Sequence, residues 1–293
     1  MGTGQKEGAC ALNGTTPALL PNGAGPRNPP GYDPYCRSWG RRSHPFLGSA
    51  SLGRRLFMPG VKSHRPTRRT VGLSSTDRAM WTRLYAKTSI QELPWFSPTP
   101  YPPLVRAVEA GWLKPPGPVL DVGCGLGSNV LWLTTQGFQT TGIDIAPGAV
   151  EAAESRRTAS DSDATFLVDD VLASRLPTGR FRGAIDSGCF HTLPVRRRSD
   201  YAASLARVLR PGATLLLFWV AREETGSWGP PHRLSVKEVV DTFESRFLAE
   251  QIEFRPRKIR LTPPTRGSTR PLTTLAGYTA RLARRSGRQP PPQ

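Results

Sequence analysis

Three short apolar runs each end in a carboxylate. Asp121 sits at the end of Val119-Leu-Asp-Val and is followed by Gly123-Cys-Gly125-Leu-Gly127; Asp144 ends Thr140-Thr-Gly-Ile, 17 residues after Gly127; Asp169-Asp170-Val171 follows Thr165-Phe-Leu-Val. Glycines at this spacing permit a tight turn and close approach of backbone to a ligand, though such turns serve several nucleotide cofactors. Asp121 narrows the choice. A dinucleotide would bring a pyrophosphate to this turn, and a carboxylate two residues ahead of the first glycine repels it. S-adenosylmethionine brings an ammonium and a sulfonium, which the same carboxylate attracts directly or through water. Asp144 can then accept both hydrogen bonds of a ribose diol, and Asp170 can accept from an adenine amino group with Val171 packed on the ring. Any one of these acids alone reads equally well as a turn or capping residue. Three at successive strand ends do not.

Such residues converge only if the runs are parallel strands, because ligands of open parallel sheets lie beyond the carboxyl ends of the strands. The rest of the pattern supplies that sheet. Asp77 is placed to cap a helix over 78–87, and a second helix spans about 104–113 after the Pro-rich stretch 94–103. Helices are then predicted over 128–136, 147–157, 197–210 and 236–246, with further strands over 181–186, 214–220, 247–254 and, last, about 272–282. Thr214-Leu-Leu-Leu-Phe-Trp-Val is apolar on both faces, as a central parallel strand requires. Strands alternating with helices of this length predict an α/β fold, a parallel sheet covered on both faces.

The chain of 293 residues carries a net charge of +18, which would point to nucleic acid or membrane were it evenly spread. It is not. Residues 1–75 hold 11 basic and 2 acidic residues, and residues 256–293 hold 9 basic and none acidic, so the stretch between is neutral. With 12 Gly, 9 Pro and no apolar periodicity, residues 1–75 bury too little to offset chain entropy and are expected to be a disordered tail. Its Arg pairs read either as an arm for nucleic acid or acidic membrane or as a solvated tail, dispensable if synthesis starts at Met58 or Met80. The domain is expected over 76–285, with a second short tail over 286–293. No apolar run approaches the roughly 20 residues that span a bilayer, and the first residues lack the basic start and apolar stretch of a secretory signal. Cys10, Cys36, Cys124 and Cys189 form no C-x-x-C pair, so neither a zinc site nor a disulfide framework is expected. Free thiols fit a cytoplasmic protein.

Asp121 to Gly127, Asp144, Asp170-Val171, Asp186 and Leu209-Arg-Pro-Gly212 resemble the motif series of the class I S-adenosylmethionine-dependent methyltransferases. Leu93-Pro-Trp95, Gly183-Ala-Ile-Asp-Ser-Gly-Cys-Phe-His191, Arg198-x-x-Tyr201 and Gly229-Pro-Pro-His-Arg233 narrow the resemblance to the thiopurine S-methyltransferase-like group. It covers residues 80–285. The resemblance implies a Rossmann-like, mostly parallel seven-stranded sheet with an antiparallel final strand. It places Asp121, Gly123, Gly125 and Gly127 at the methionine end of S-adenosyl-L-methionine, Asp144 at its ribose, and Asp170 and Val171 at its adenine. Trp95 falls in a lid. Two positions depart from the commonest pattern: Leu126, where a Thr is frequent, and Ala213, where a Gly is frequent. Ser187 stands where relatives often carry a larger polar residue.

Methyl transfer is an in-line displacement, so the enzyme mainly aligns the acceptor and excludes water. A thiol acceptor supplies thiolate near neutral pH, whereas an alcohol or amine has more need of a base. Asp186 and His191, just past the strand over 181–186, are the candidate catalytic residues; Cys189 reads as a packed small residue. His232 and Arg196-Arg-Arg198 could face an acceptor or be ordinary loop and helix-start residues. Trp95, Phe96, Tyr101, Phe190 and Trp228 suit a flat or apolar small molecule. The expected partner is a small-molecule acceptor on a monomer, with no metal and no membrane, and with nucleic acid engaged only through the basic tails. A nucleic-acid or protein methyltransferase is the alternative within the class, and no Asn/Asp-Pro-Pro-aromatic signature follows 181–186 to support it. A non-catalytic nucleic-acid-binding protein and an NAD-dependent oxidoreductase are the alternatives outside it; Asp121 opposes the latter.

Overall fold

The most apolar segment of the chain forms an interior strand of the sheet. In the computed structural model, which describes residues 72–87, 93–225, 232–260 and 272–286, it is β5 (Leu209–Val220). The elements run α1 (Ser75–Lys87), α2 (Pro102–Glu109), β1 (Pro118–Val122), α3 (Ser128–Thr135), β2 (Gln139–Asp144), α4 (Pro147–Ala159), β3 (Thr165–Val168), β4 (Phe181–Asp186), α5 (Val195–Val208), β5, α6 (Val236–Phe243), β6 (Phe247–Phe254), β7 (Arg257–Arg260), β8 (Leu272–Leu275) and β9 (Gly277–Arg284). Of the expected tails, 1–75 and 286–293, residues 1–71 and 287–293 lie outside the described residues, as do Cys10, Cys36 and Trp228.

Seven strands form one sheet in the order β3-β2-β1-β4-β5-β9-β6. The first five are parallel, and β9 runs antiparallel to both β5 and β6. Side chains of a strand alternate between faces, and both faces here are apolar. Leu215, Leu217 and Trp219 pack with Tyr201, Leu205, Val239 and Phe243 of α5 and α6. Leu216, Phe218 and Val220 pack with Leu104 and Ala107 of α2 and Leu133 of α3. Helix starts follow local chemistry: α4 opens on a proline, and α6 on a capping box in which Ser235 and Glu238 each satisfy the other's backbone N–H.

Four boundaries differ from the sequence expectation. Ser74, not Asp77, caps α1: its hydroxyl accepts the Asp77 N–H at 3.1 Å and donates to the Asp77 carboxylate at 2.7 Å. Order also starts before residue 76. Leu73 donates its N–H to Asp170 at 2.6 Å, and the Gly72 carbonyl accepts from Arg197 at 2.8 Å. A chain starting at Met80 would lack both contacts. Residues 209–213 join β5 rather than ending a helix, with Gly212 at φ +75° making the bend. Finally, the run 272–282 is two strands. β8 pairs with β7 in a separate two-stranded hairpin, while β9 enters the main sheet. Basic residues of β9 brace the fold. Arg281 lies over the Trp112 ring at 4.7 Å, and Arg284 donates to the Ala206 carbonyl at 3.0 Å.

Candidate active site

A cleft opens over the carboxyl ends of β1, β2 and β4, roofed by α1 and the segment 93–101, with the β7–β8 hairpin as one wall. Its empty space, open solvent at the mouth included, is about 1430 Å³.

The glycine turn forms the floor. Gly123, Gly125 and Gly127 have φ of +66°, +51° and +75°, a region that a side chain strongly disfavours. A Cβ on Gly123 would lie 2.8 Å from Cβ of Cys189, and one on Gly127 would enter the Phe166 ring. The turn is held from β2: Asp144 accepts the Gly125 N–H at 3.0 Å and the Ala146 N–H at 2.9 Å, one on each oxygen. A carboxylate has about four lone-pair sites, so Asp144 keeps acceptor capacity toward the cleft. Burial raises its pKa.

Asp121, two residues ahead of this turn, is 1% exposed and is not itself among the residues lining the cleft. Oδ2 accepts from Asn129 at 3.3 Å, and Oδ1 has no partner among the described residues. Burial, partly opposed by the Asn129 bond, pushes its pKa up to about 7. A buried carboxylate oxygen without a donor costs free energy unless a ligand supplies one. That orphan, the glycine cradle and the spare capacity of Asp144 fit a ligand that brings a cation and a ribose.

Asp170 is placed differently from the expectation. Oδ1 accepts the Leu172 N–H at 3.0 Å, while Oδ2 holds the Leu73 N–H and Arg78 at 3.2 Å. Three of its lone pairs are therefore engaged within the chain, which makes it the anchor of the N-terminal segment as well as a cleft wall. Val171 lies beside it and lines the cleft. Trp95 also lines the cleft; its Nε1–H donates to the Tyr85 hydroxyl at 3.2 Å, and Trp81 meets it edge-on at 5.9 Å.

The two candidate catalytic residues part company. Asp186 is fully buried and does not face the cleft. Oδ1 accepts N–H groups from Gly188 at 2.8 Å and Cys189 at 2.6 Å; Oδ2 accepts the Phe190 N–H at 2.8 Å and the Tyr201 hydroxyl. All its acceptor capacity shapes the 187–190 loop, which corrects the expectation of a base. His191 does line the cleft. Its Nδ1 accepts the Val220 N–H at 3.2 Å, and burial, then Arg257 and His232, push its pKa down to about 3. The ring is therefore neutral with its proton on Nε2. It is a donor.

Four cleft residues escaped sequence reading. Tyr85 on α1 covers Gly125. Asn129 links Asp121, Ser187 and the Tyr101 N–H. Arg156 on α4 braces the floor from behind through the Leu126 carbonyl and the Ser128 hydroxyl. Arg257 of β7 donates to the Ser187 carbonyl at 2.7 Å and lies over the Tyr101 and Phe218 rings. The cations singled out from sequence are spent elsewhere: Arg197 on Gly72, and Arg198 on the Leu193 carbonyl. His232 is exposed and Phe190 is core. Cys124 and Cys189 are free thiols, and burial raises both pKa values. Among the described residues no cluster of His, Cys, Asp and Glu could hold a metal, and no helix is long and apolar enough to cross a membrane.

Residues 119–212 match the family described as a methyltransferase domain. The chain is 35% identical over 125 residues to a 2-heptyl-1-hydroxyquinolin-4(1H)-one methyltransferase of Mycobacteroides abscessus, covering 42% of this chain and 54% of that protein. It is 30% identical over 99 residues to an uncharacterized methyltransferase of Schizosaccharomyces pombe, 34% of this chain and 68% of the other. A thiopurine S-methyltransferase of Azotobacter vinelandii is 30% identical over 141 residues, 43% and 65% of the two chains. The chain spans about half the length of the first curated relatives it matches. Among solved structures, one described as the conversion of a disulfide bond into a thioacetal group during echinomycin biosynthesis superposes with a TM-score of 0.63 at 26% identity, over 71% of this chain and 93% of that one.

Proposed function

The chain belongs to the class I S-adenosylmethionine-dependent methyltransferases, and on that premise we propose that it methylates a small molecule, with sulfur the favoured acceptor atom. The observation that carries the reading is Oδ1 of Asp121 next to the glycine cradle, without a partner among the described residues, an acceptor that suits a cation and opposes a pyrophosphate. When bound, S-adenosyl-L-methionine supplies an electrophilic methyl group. Asp121 and the glycine backbone would hold the methionine end, Asp144 the ribose, and Val171 with the remaining lone pair of Asp170 the adenine. Trp95, Trp81 and Tyr85 close over the site and exclude water, which favours displacement by the acceptor over hydrolysis. Asn129 ties the cofactor side to the acceptor side through Ser187. Sulfur is favoured because the acceptor side offers no free base among the described residues, and a thiol needs one least.

A small acceptor fits this roof better than a polymer does: Arg257 of β7 lines the cleft, and Arg281 and Arg284 of β9 brace the fold. A monomer in the cytoplasm, with its thiols reduced, completes the reading.

The test is calorimetric titration of S-adenosylhomocysteine into the full chain, with one-to-one binding near micromolar affinity expected. No binding by folded protein would overturn the proposal. The protonation of Asp121 adds a sign. With a pKa of about 7 in the free protein, it is mostly protonated at about pH 6 and ionised at about pH 8. A cation beside it lowers that pKa, so binding at about pH 6 should release close to one proton and binding at about pH 8 almost none. Titrations in two buffers of different ionisation enthalpy measure this, and Asp121→Asn should abolish the release. In the free protein the same raised pKa makes stability fall as pH rises from ~4 to about 7.

A further inference from the structure

Deepening the methyltransferase reading, on which it rests, we infer that the acceptor is bound as its anion, in a subsite made by the guanidinium of Arg257 and the Nε2–H of His191.

Arg257 reaches the cleft from β7, a strand outside the main sheet. A guanidinium has five N–H donors. Among the described residues one of them is used, on the Ser187 carbonyl at 2.7 Å, and no carboxylate pairs with the charge. The ring centroids of Tyr101 and Phe218 lie 5.3 and 5.6 Å from its central carbon, so the guanidinium rests against both rings. An unpaired cation in such a place is costly, and burial lowers its pKa accordingly. A ligand carboxylate, thiolate or oxyanion relieves that cost.

His191 completes the subsite. With Nδ1 engaged by the Val220 N–H, its remaining ring nitrogen can only donate. Among the described residues, the nearest groups that might take a proton are engaged: Asp186 has four donors, and the Ser187 hydroxyl accepts from Asn129. A site with a cation and a donor but no base takes an acceptor whose proton has already gone to solvent. Ser187 fixes where the anion sits. Its carbonyl holds Arg257 while its hydroxyl meets Asn129, which binds Asp121, so the charge lies next to the methionine end. The reacting atom itself is thus the anion, and its methylated product, now neutral, loses its hold on Arg257.

The test uses 4-nitrophenol, whose anion is yellow and whose neutral form is not, with S-adenosylhomocysteine bound so that nothing is transferred. At a pH below the dye's own pKa, the wild-type full chain should turn bound dye yellow. Arg257→Gln should weaken dye binding at least about tenfold, the usual worth of a charged hydrogen bond, and leave bound dye colourless. Arg257→Lys, which keeps the charge and loses the fork, should fall between. Colourless dye on the wild type, no dye binding, or equal yellow on Arg257→Gln would each overturn the inference. If Arg257→Gln fails to fold, the colour on the wild type decides alone. Absent S-adenosylhomocysteine binding would overturn the methyltransferase reading separately, since the same dye titration without it still reads the anion site.

Discussion

Asp186→Ala should lower the melting temperature by roughly 8–16 °C, the equivalent of ~4 kcal/mol in a domain of this size. The substitution removes the acceptor of three backbone N–H groups and one phenol, all inside the core between β4 and α5. Each buried donor left unpaired costs ~1–3 kcal/mol. Asp186→Asn retains one oxygen and should cost about half as much, and Tyr201→Phe less again. Circular dichroism melts measure the series. At a temperature where the variants remain folded, S-adenosylhomocysteine affinity should stay within about threefold of wild type. The opposite pattern, unchanged melting with methyl transfer abolished, would return Asp186 to the chemistry.

Asp144→Ala should weaken S-adenosylhomocysteine binding about 100-fold, or ~2.7 kcal/mol. Two losses combine. The charge-assisted bonds proposed to the ribose go, each worth ~1.5–3 kcal/mol, and the Gly125 and Ala146 N–H groups lose the carboxylate that holds the turn in shape. Asp144→Asn, with one acceptor oxygen, should lose about tenfold. Calorimetry on folded variants decides: affinity within threefold of wild type for Asp144→Ala would move the ribose away from β2.

The sheet was legible because its strands are short, apolar and each followed by chemistry. The floor of the cleft, from Asp121 to Gly127 with Asp144, was legible for the same reason: its parts are neighbours in sequence or lie at matching ends of adjacent strands. Orientation was not. A carboxylate at a strand end looks the same whether it lines the cleft, as Asp144 does, or turns back to gather the N–H groups of its own loop, as Asp186 does. Asn129 reads as one more polar residue in a first helical turn, and its contacts with Asp121 and Tyr101 exist only in three dimensions. Arg257 was hidden by its surroundings, a short basic run with no apolar periodicity to mark it as a strand. Nor does Leu272–Leu282 announce its break at Ala276, because both halves are good strand sequence and only the competing partners, β7 and β5, divide them. Asp170 was read as free because the segment that occupies it, Gly72 to Arg78, begins inside the stretch expected to be disordered.

The position of β9 has a consequence for how the protein is made. β5 and β6 are its two neighbours, yet both leave the ribosome before it does. At roughly 5–20 residues per second, several seconds separate the appearance of Val220 from that of Arg284. Throughout that interval the most apolar strand of the nascent chain, β5, has one open edge, the kind of edge on which chains aggregate, and β6 has no partner at all. Vectorial synthesis thus leaves the half-built sheet in need of protection by chaperones until its last strand arrives and closes it from the inside.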